Sequence, residues 1–330
     1  MFARLPDLAS SRLGGRVLAA NDEFFAPKEN LVKPERAVFI EGKYTSRGKW
    51  MDGWETRRRR TPGHDWCLIK LAVKGMVRAV NVDTSHFLGN FPPQASLDGV
   101  CVPGNPPAAK LAKASWAPVL ALSPLEGGSR NFFNIGNPGP WTHLRLNIHP
   151  DGGVARLRVH GEPVLDLRDV GKMKSPIDLA AAKNGGRVED SSDSFFGSPG
   201  NMLMPGRPRN MGEGWETRRR RGPGNDWAVI RLAVPGLIRK IRIDTTHFKG
   251  NCPESFSFEG IPQGGETGAA DGEGMKPAPW RLVIPRTKLH PHSSRVFSKE
   301  IADAGPFSKV RLSIYPDGGV ARLRIYGVPA

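Results

Sequence analysis

Leu144-Arg145-Leu146-Asn147-Ile148-His149, then Pro150-Asp151-Gly152-Gly153, then Val154-Ala155-Arg156-Leu157-Arg158-Val159-His160, alternates apolar and polar residues on both sides of a turn-forming tetrapeptide. A period of two marks a strand with one buried face. Two such runs around a Gly-rich turn predict a β-hairpin. The pattern returns 166 residues later as Val310 to Tyr315, Pro316-Asp317-Gly318-Gly319 and Ala321 to Tyr326. Further strands are predicted at Asp65 to Val73, Val77 to Asp83 and Leu237 to Asp244. A second duplicated block is Gly53-Trp54-Glu55-Thr56-Arg57-Arg58-Arg59-Arg60, which recurs as Gly214 to Arg221. With that offset of 161, residues 53–90 match 214–251 at 24 of 38 positions. A repeat this long exceeds the roughly 20 to 50 residues of a solenoid unit, so the chain is read as two duplicated domains. The expected fold is all-β, with two tandem jelly-roll β-sandwiches at 1–170 and 191–330 joined by a linker at 171–190.

Composition agrees. The 39 glycines and 30 prolines among 330 residues disfavour long helices. About 150 residues per domain also implies two domains. Three cysteines, Cys67, Cys101 and Cys252, are too few and too scattered for a disulfide framework or a zinc knuckle. No segment approaches the roughly 20 apolar residues of a membrane span, so a soluble cytoplasmic protein without a membrane partner is expected. The net charge of +16 admits nucleic acid, an anionic membrane or a small acidic substrate. No nucleic-acid-binding motif accompanies the arginine runs, and that partner is not expected. Serine-hydrolase, phosphate-loop and dinucleotide-binding signatures are missing as well.

Three duplicated polar blocks carry the candidate chemistry. In an extended Trp54-to-Arg60 segment, Glu55, Arg57 and Arg59 project to one face. Such guanidiniums receive a carboxylate substrate or enter a structural ion-pair network. Pro62-Gly63-His64-Asp65-Trp66 pairs with Pro223-Gly224-Asn225-Asp226-Trp227 and puts a titrating histidine and an acid at a strand mouth. Asp65 reads equally as a turn cap. Asp83-Thr84-Ser85-His86-Phe87 mirrors Asp244 to Phe248, and each copy continues into Gly-Asn. That block is either an acid–base couple or a hydrogen-bonded turn, and two ligands do not define a metal site. The first repeat has Glu23, Lys28, Lys49 and His64 where the second has Ser194, Pro199, Asn210 and Asn225. Its ionisable surplus places the catalytic equipment mainly there.

Ala20-Asn21-Asp22-Glu23-Phe24-Phe25-Ala26-Pro27-Lys28-Glu29-Asn30-Leu31, Gly48-Lys49-Trp50-Met51-Asp52 with the arginine block that follows, and both Pro-Asp-Gly-Gly-Val-Ala-Arg-Leu-Arg segments resemble the allantoicase family. The resemblance covers nearly the whole chain. It implies jelly rolls of the galactose-binding-like kind, a self-associating enzyme, and hydrolysis of allantoate to ureidoglycolate and urea in purine breakdown. Allantoate bears a carboxylate and two ureido groups on one carbon. Lys49, Arg57 and Arg59 are then expected at the carboxylate, and Glu23 and Asp65 at the ureido N–H groups. His64 and His86 are expected as acid and base, partnered by Glu55 or Asp83. The resemblance implies no particular cofactor, and a divalent metal stays open. The competing reading is a non-catalytic jelly-roll module binding a carbohydrate or small anion.

Overall fold

The computed structural model describes residues 5–165, 176–264 and 280–330. The chain divides into two compact units, Met1–Val164 and Leu165–Ala330. The first contains β1 (Arg16–Ala20), β2 (Tyr44–Thr45), β3 (Gly48–Lys49), β4 (Trp54–Glu55), β5 (Asp65–Asp83), β6 (Gln94–Val100), the short helix α1 (Ala108–Ala112), β7 (Ala117–Pro124), β8 (Arg130–Asn134), β9 (Trp141–His149), β10 (Gly153–Val154) and β11 (Arg156–Pro163). The second contains β12 (Ile177–Asp178), β13 (Arg187–Ser191), β14 (Trp215–Glu216), β15 (Asp226–Asp244), β16 (Ser255–Pro262), β17 (Arg281–Lys288), β18 (Ser294–Phe297), β19 (Phe307–Tyr315), β20 (Gly319–Val320) and β21 (Arg322–Pro329). Two duplicated all-β jelly-roll units are therefore present, as the sequence predicts.

Each unit is organised by one long strand. The runs expected as separate strands at 65–73 and 77–83 are one 19-residue strand, β5. Its first half lies between β1 and β9, and its second half between β8 and β11. The neighbours change over between Lys70 and Gly75, where the register with β9 shifts. In the second unit β15 plays the same part between β13, β19, β18 and β21. The expected hairpin is corrected here. β9 and β11 do not pair with each other, and each lies antiparallel to a different half of β5. Between them β10 pairs with β4, so the Pro-Asp-Gly-Gly segment carries the chain from one arm of the sheet to the other.

Alternation nonetheless assigns the inner faces correctly. Leu144, Leu146 and Ile148 on β9 and Leu157 and Val159 on β11 are completely buried. Each such side chain contributes about 1.5–3 kcal/mol. Trp54 and Trp215, the first residues of β4 and β14, are also fully enclosed. Within the expected linker, residues 171–175 lie outside the described residues. Residues 177–190 contain β12, a 3-10 turn and most of β13.

Candidate functional site

β4 is two residues long, yet it fixes the arginine block that follows. Its backbone pairs with β10 on one side and bridges Ala26 on the other. The Trp54 indole N–H donates to the Asp22 carbonyl at 2.8 Å. Trp54 and Thr56 point inward and are buried, while Glu55, Arg57 and Arg59 lie on the opposite side, as an extended segment requires. Strand pairing itself stops at Glu55.

Both arginines expected at the substrate carboxylate have acidic partners of their own. Arg57 donates from Nε at 3.1 Å and Nη2 at 2.9 Å to Asp22 Oδ1, and its backbone N–H reaches Oδ2 at 2.6 Å. Its side chain is still 64% exposed and lies 5.3 Å from the Phe24 ring centroid. Arg47 covers the same ring at 5.1 Å and donates to the Phe24 carbonyl. Arg59 donates to Asp65 Oδ1 at 2.8 Å, and its backbone N–H reaches Asp151. Asp65 also accepts from Asn21 Nδ2 at 2.7 Å.

Glu55 differs from these acids. It is half-buried, and Asn90 Nδ2 donates to Oε1 at 2.6 Å. No other hydrogen bond and no ion pair reaches its carboxyl among the described residues. Burial raises its pKa above the ordinary glutamate value, and the Asn90 hydrogen bond offsets part of that rise. Asn90 is held in turn, because its carbonyl accepts from Gly153 N–H at 2.7 Å.

The two histidines expected as an acid–base couple are not joined to each other or to Glu55 by any contact among the described residues. His64 packs against His149 with ring centroids 4.5 Å apart, and His149 Nε2 lies 3.3 Å from Ser96 Oγ. Burial, then the neighbouring His64, lowers the His149 pKa against the pull of Asp98. His86 sits at φ 71°, which is uncommon for a residue with a Cβ. Its Nε2 lies 3.2 Å from the Ala37 carbonyl, and its ring stacks on Phe39, which Lys49 also covers. Asp83 accepts from Ser85 N–H at 2.8 Å, the capping alternative for that block. Glu23 pairs with Lys28 at 2.9 Å. Burial is the largest influence on Glu23 and opposes ionisation, but the Lys28 bonds and charge outweigh it and lower the pKa.

Sequence reasoning passed over Asp22, Phe24, Arg47, Asn90 and His149. The duplication carries a signal for three of them. Asp22, Phe24 and Asn90 recur as Asp193, Phe195 and Asn251, whereas Glu23 and His64 do not recur. The second unit has Asn225 and Tyr315 at the places of His64 and His149, on a sheet face with an open cavity of about 580 Å³. No group of three or more His, Cys, Asp or Glu side chains among the described residues forms a metal-ligand set.

A model of the allantoicase repeat matches residues 6–164 and 177–330. A Burkholderia mallei protein named "Probable allantoicase 1" is 49% identical over 326 residues, covering 98% of this chain and 94% of its own. A Pseudomonas aeruginosa protein named "Probable allantoicase" is 47% identical over 330 residues, with coverage of 99% and 97%. The crystal structure of allantoicase from Saccharomyces cerevisiae superposes with a TM-score of 0.82 at 34% identity and covers 98% of this chain and 92% of that one.

Proposed function

The chain belongs to the allantoicase family, and from that premise we propose how its first unit hydrolyses allantoate to ureidoglycolate and urea. The rival reading of a non-catalytic binding module is not favoured by relatives that share nearly half their residues with it over almost their full length.

The reaction breaks the bond between the central carbon and one ureido nitrogen. The electron pair leaves with nitrogen, which needs a proton, and water supplies hydroxyl to the carbon and releases one. A single group can serve both transfers. Glu55, kept protonated to higher pH by burial, gives its proton to the departing nitrogen. As carboxylate it then takes a proton from the attacking water and returns to its starting state. Asn90 occupies Oε1 and leaves the other oxygen for the reacting groups. Arg47 and Arg57, gathered over Phe24, receive the substrate carboxylate. His86 is a positioning residue, which through Ala37 and Phe39 anchors the segment bearing Arg47.

The observation that carries this reading is a half-buried carboxyl whose one hydrogen-bond partner among the described residues is a neutral side-chain amide. Glu55→Gln keeps the shape and removes the proton. The first unit's contribution to urea release is expected to fall at least about 100-fold, and urea release at the parent's rate would remove Glu55 from the chemistry.

Self-association and a cytoplasmic setting are inferred from the family likeness. Free thiols at Cys67, Cys101 and Cys252 suit a reducing compartment. Light scattering that returns the mass of one chain would refute self-association.

A further inference from the structure

We propose that the second unit holds a second catalytic site for the same carboxylate-bearing ureide, with Glu216 as its proton-transfer group; this rests on the reading of Glu55. Asn251 Nδ2 donates to Glu216 Oε1 at 2.5 Å, and the Asn251 carbonyl accepts from Gly319 N–H at 2.9 Å. The Trp215 indole donates to the Asp193 carbonyl at 2.8 Å, and Arg218 Nε donates to the Asp193 carboxylate at 3.1 Å. Arg218 covers Phe195 at 4.9 Å. Each contact has its counterpart around Glu55, so the acid, the amide, the guanidinium and the aromatic ring are all present twice.

A purely structural role leaves the choice of partner unexplained. The neighbouring acids meet arginine in both units: Asp22 and Asp65 in the first, Asp193 and Asp226 in the second. Glu55 and Glu216 instead meet a side-chain amide and no cation among the described residues. Taking a carboxyl from water without a counter-charge costs stability. The same carboxyl–amide pairing kept in both copies, in a chain with 48 Lys and Arg to choose from, fits proton transfer better than bracing.

The second site is not identical. Among the described residues no second guanidinium lies over Phe195 as Arg47 lies over Phe24. One cation in place of two holds the substrate carboxylate more weakly. The second site therefore turns over with the higher KM.

Glu55→Gln, Glu216→Gln and the double variant decide the matter through urea release across a range of allantoate concentrations. Residual turnover in Glu55→Gln, with KM above that of the parent, is expected to fall about 100-fold further in the double variant. Identical rates for Glu55→Gln and the double variant would overturn the second site while leaving Glu55 in place. Undiminished turnover in Glu55→Gln would instead overturn the reading of Glu55 on which this rests. Calorimetric titration of the inert double variant with allantoate gives an independent count. Two binding events per chain support the proposal, and one refutes it.

Discussion

Glu55 is held in a form that costs the fold something, and that cost has a sign. Burial raises the carboxyl pKa in the folded chain, so the native state binds this proton more tightly than the unfolded chain does. Stability from this group falls as pH rises from the ordinary glutamate range through the raised value, and the penalty is complete above it. Glu55→Gln lacks the penalty. Parent and variant are expected to unfold alike in acid, with the variant the more stable above that window. Denaturant titrations at several pH values check this, and a parent that gains on the variant as pH rises contradicts it. His86 leads to a different expectation. His86→Ala releases the Ala37 and Phe39 contacts and with them the placing of Arg47, so KM for allantoate should rise about tenfold or more while kcat changes less. A loss confined to kcat would return His86 to proton transfer. At this scale the sequence was half legible. Residue type identified Glu55, Arg57 and Arg59 as chemical candidates. It could not show that Asp22 and Asp65 already hold the arginines, because such pairs join residues 35 and 6 positions apart in sequence.

The Pro-Asp-Gly-Gly segment shows how an element can be recognised and its partner mistaken. Alternation told which side chains of β9 and β11 face inward, since that depends on one strand alone. Pairing depends on what else competes for the strand edge, and there β5 wins both. The tetrapeptide is shaped by this passage between arms. The Asp151 carboxylate accepts from Arg59 N–H, Gly152 adopts φ 139°, and a Cβ at Gly153 would lie 2.0 Å from the Phe87 ring. Gly319 meets Phe248 in the same way. Gly153→Ala is therefore expected to destabilise the first unit by about 1–3 kcal/mol through overpacking. A melting temperature unchanged from the parent would show that the Phe87 ring yields freely.

Over the whole chain, duplication organises charge as well as fold. Arg57, Arg59, Arg156 and Arg158 each reach an acid within the first unit, and such pairs cancel and add nothing to the excess of +16. Each unit has its own buried core, and the two glycine substitutions should act separately. Calorimetry of Gly153→Ala and Gly319→Ala is expected to move different transitions, each by about 2–4 °C per kcal/mol. One transition shifted equally by both would mean that the units melt together. The long central strand also sets a schedule for synthesis. Pro163 on β11 pairs with Gly75 on β5, a separation of 163 − 75 = 88 residues, which a ribosome covers in about 4–18 s. Until then the second half of β5 waits at the tunnel exit with one edge bare, a template for stray pairing. The second unit repeats the delay between Gly236 and Pro329. Nascent chains halted between residues 83 and 156 should therefore be the ones that engage chaperones.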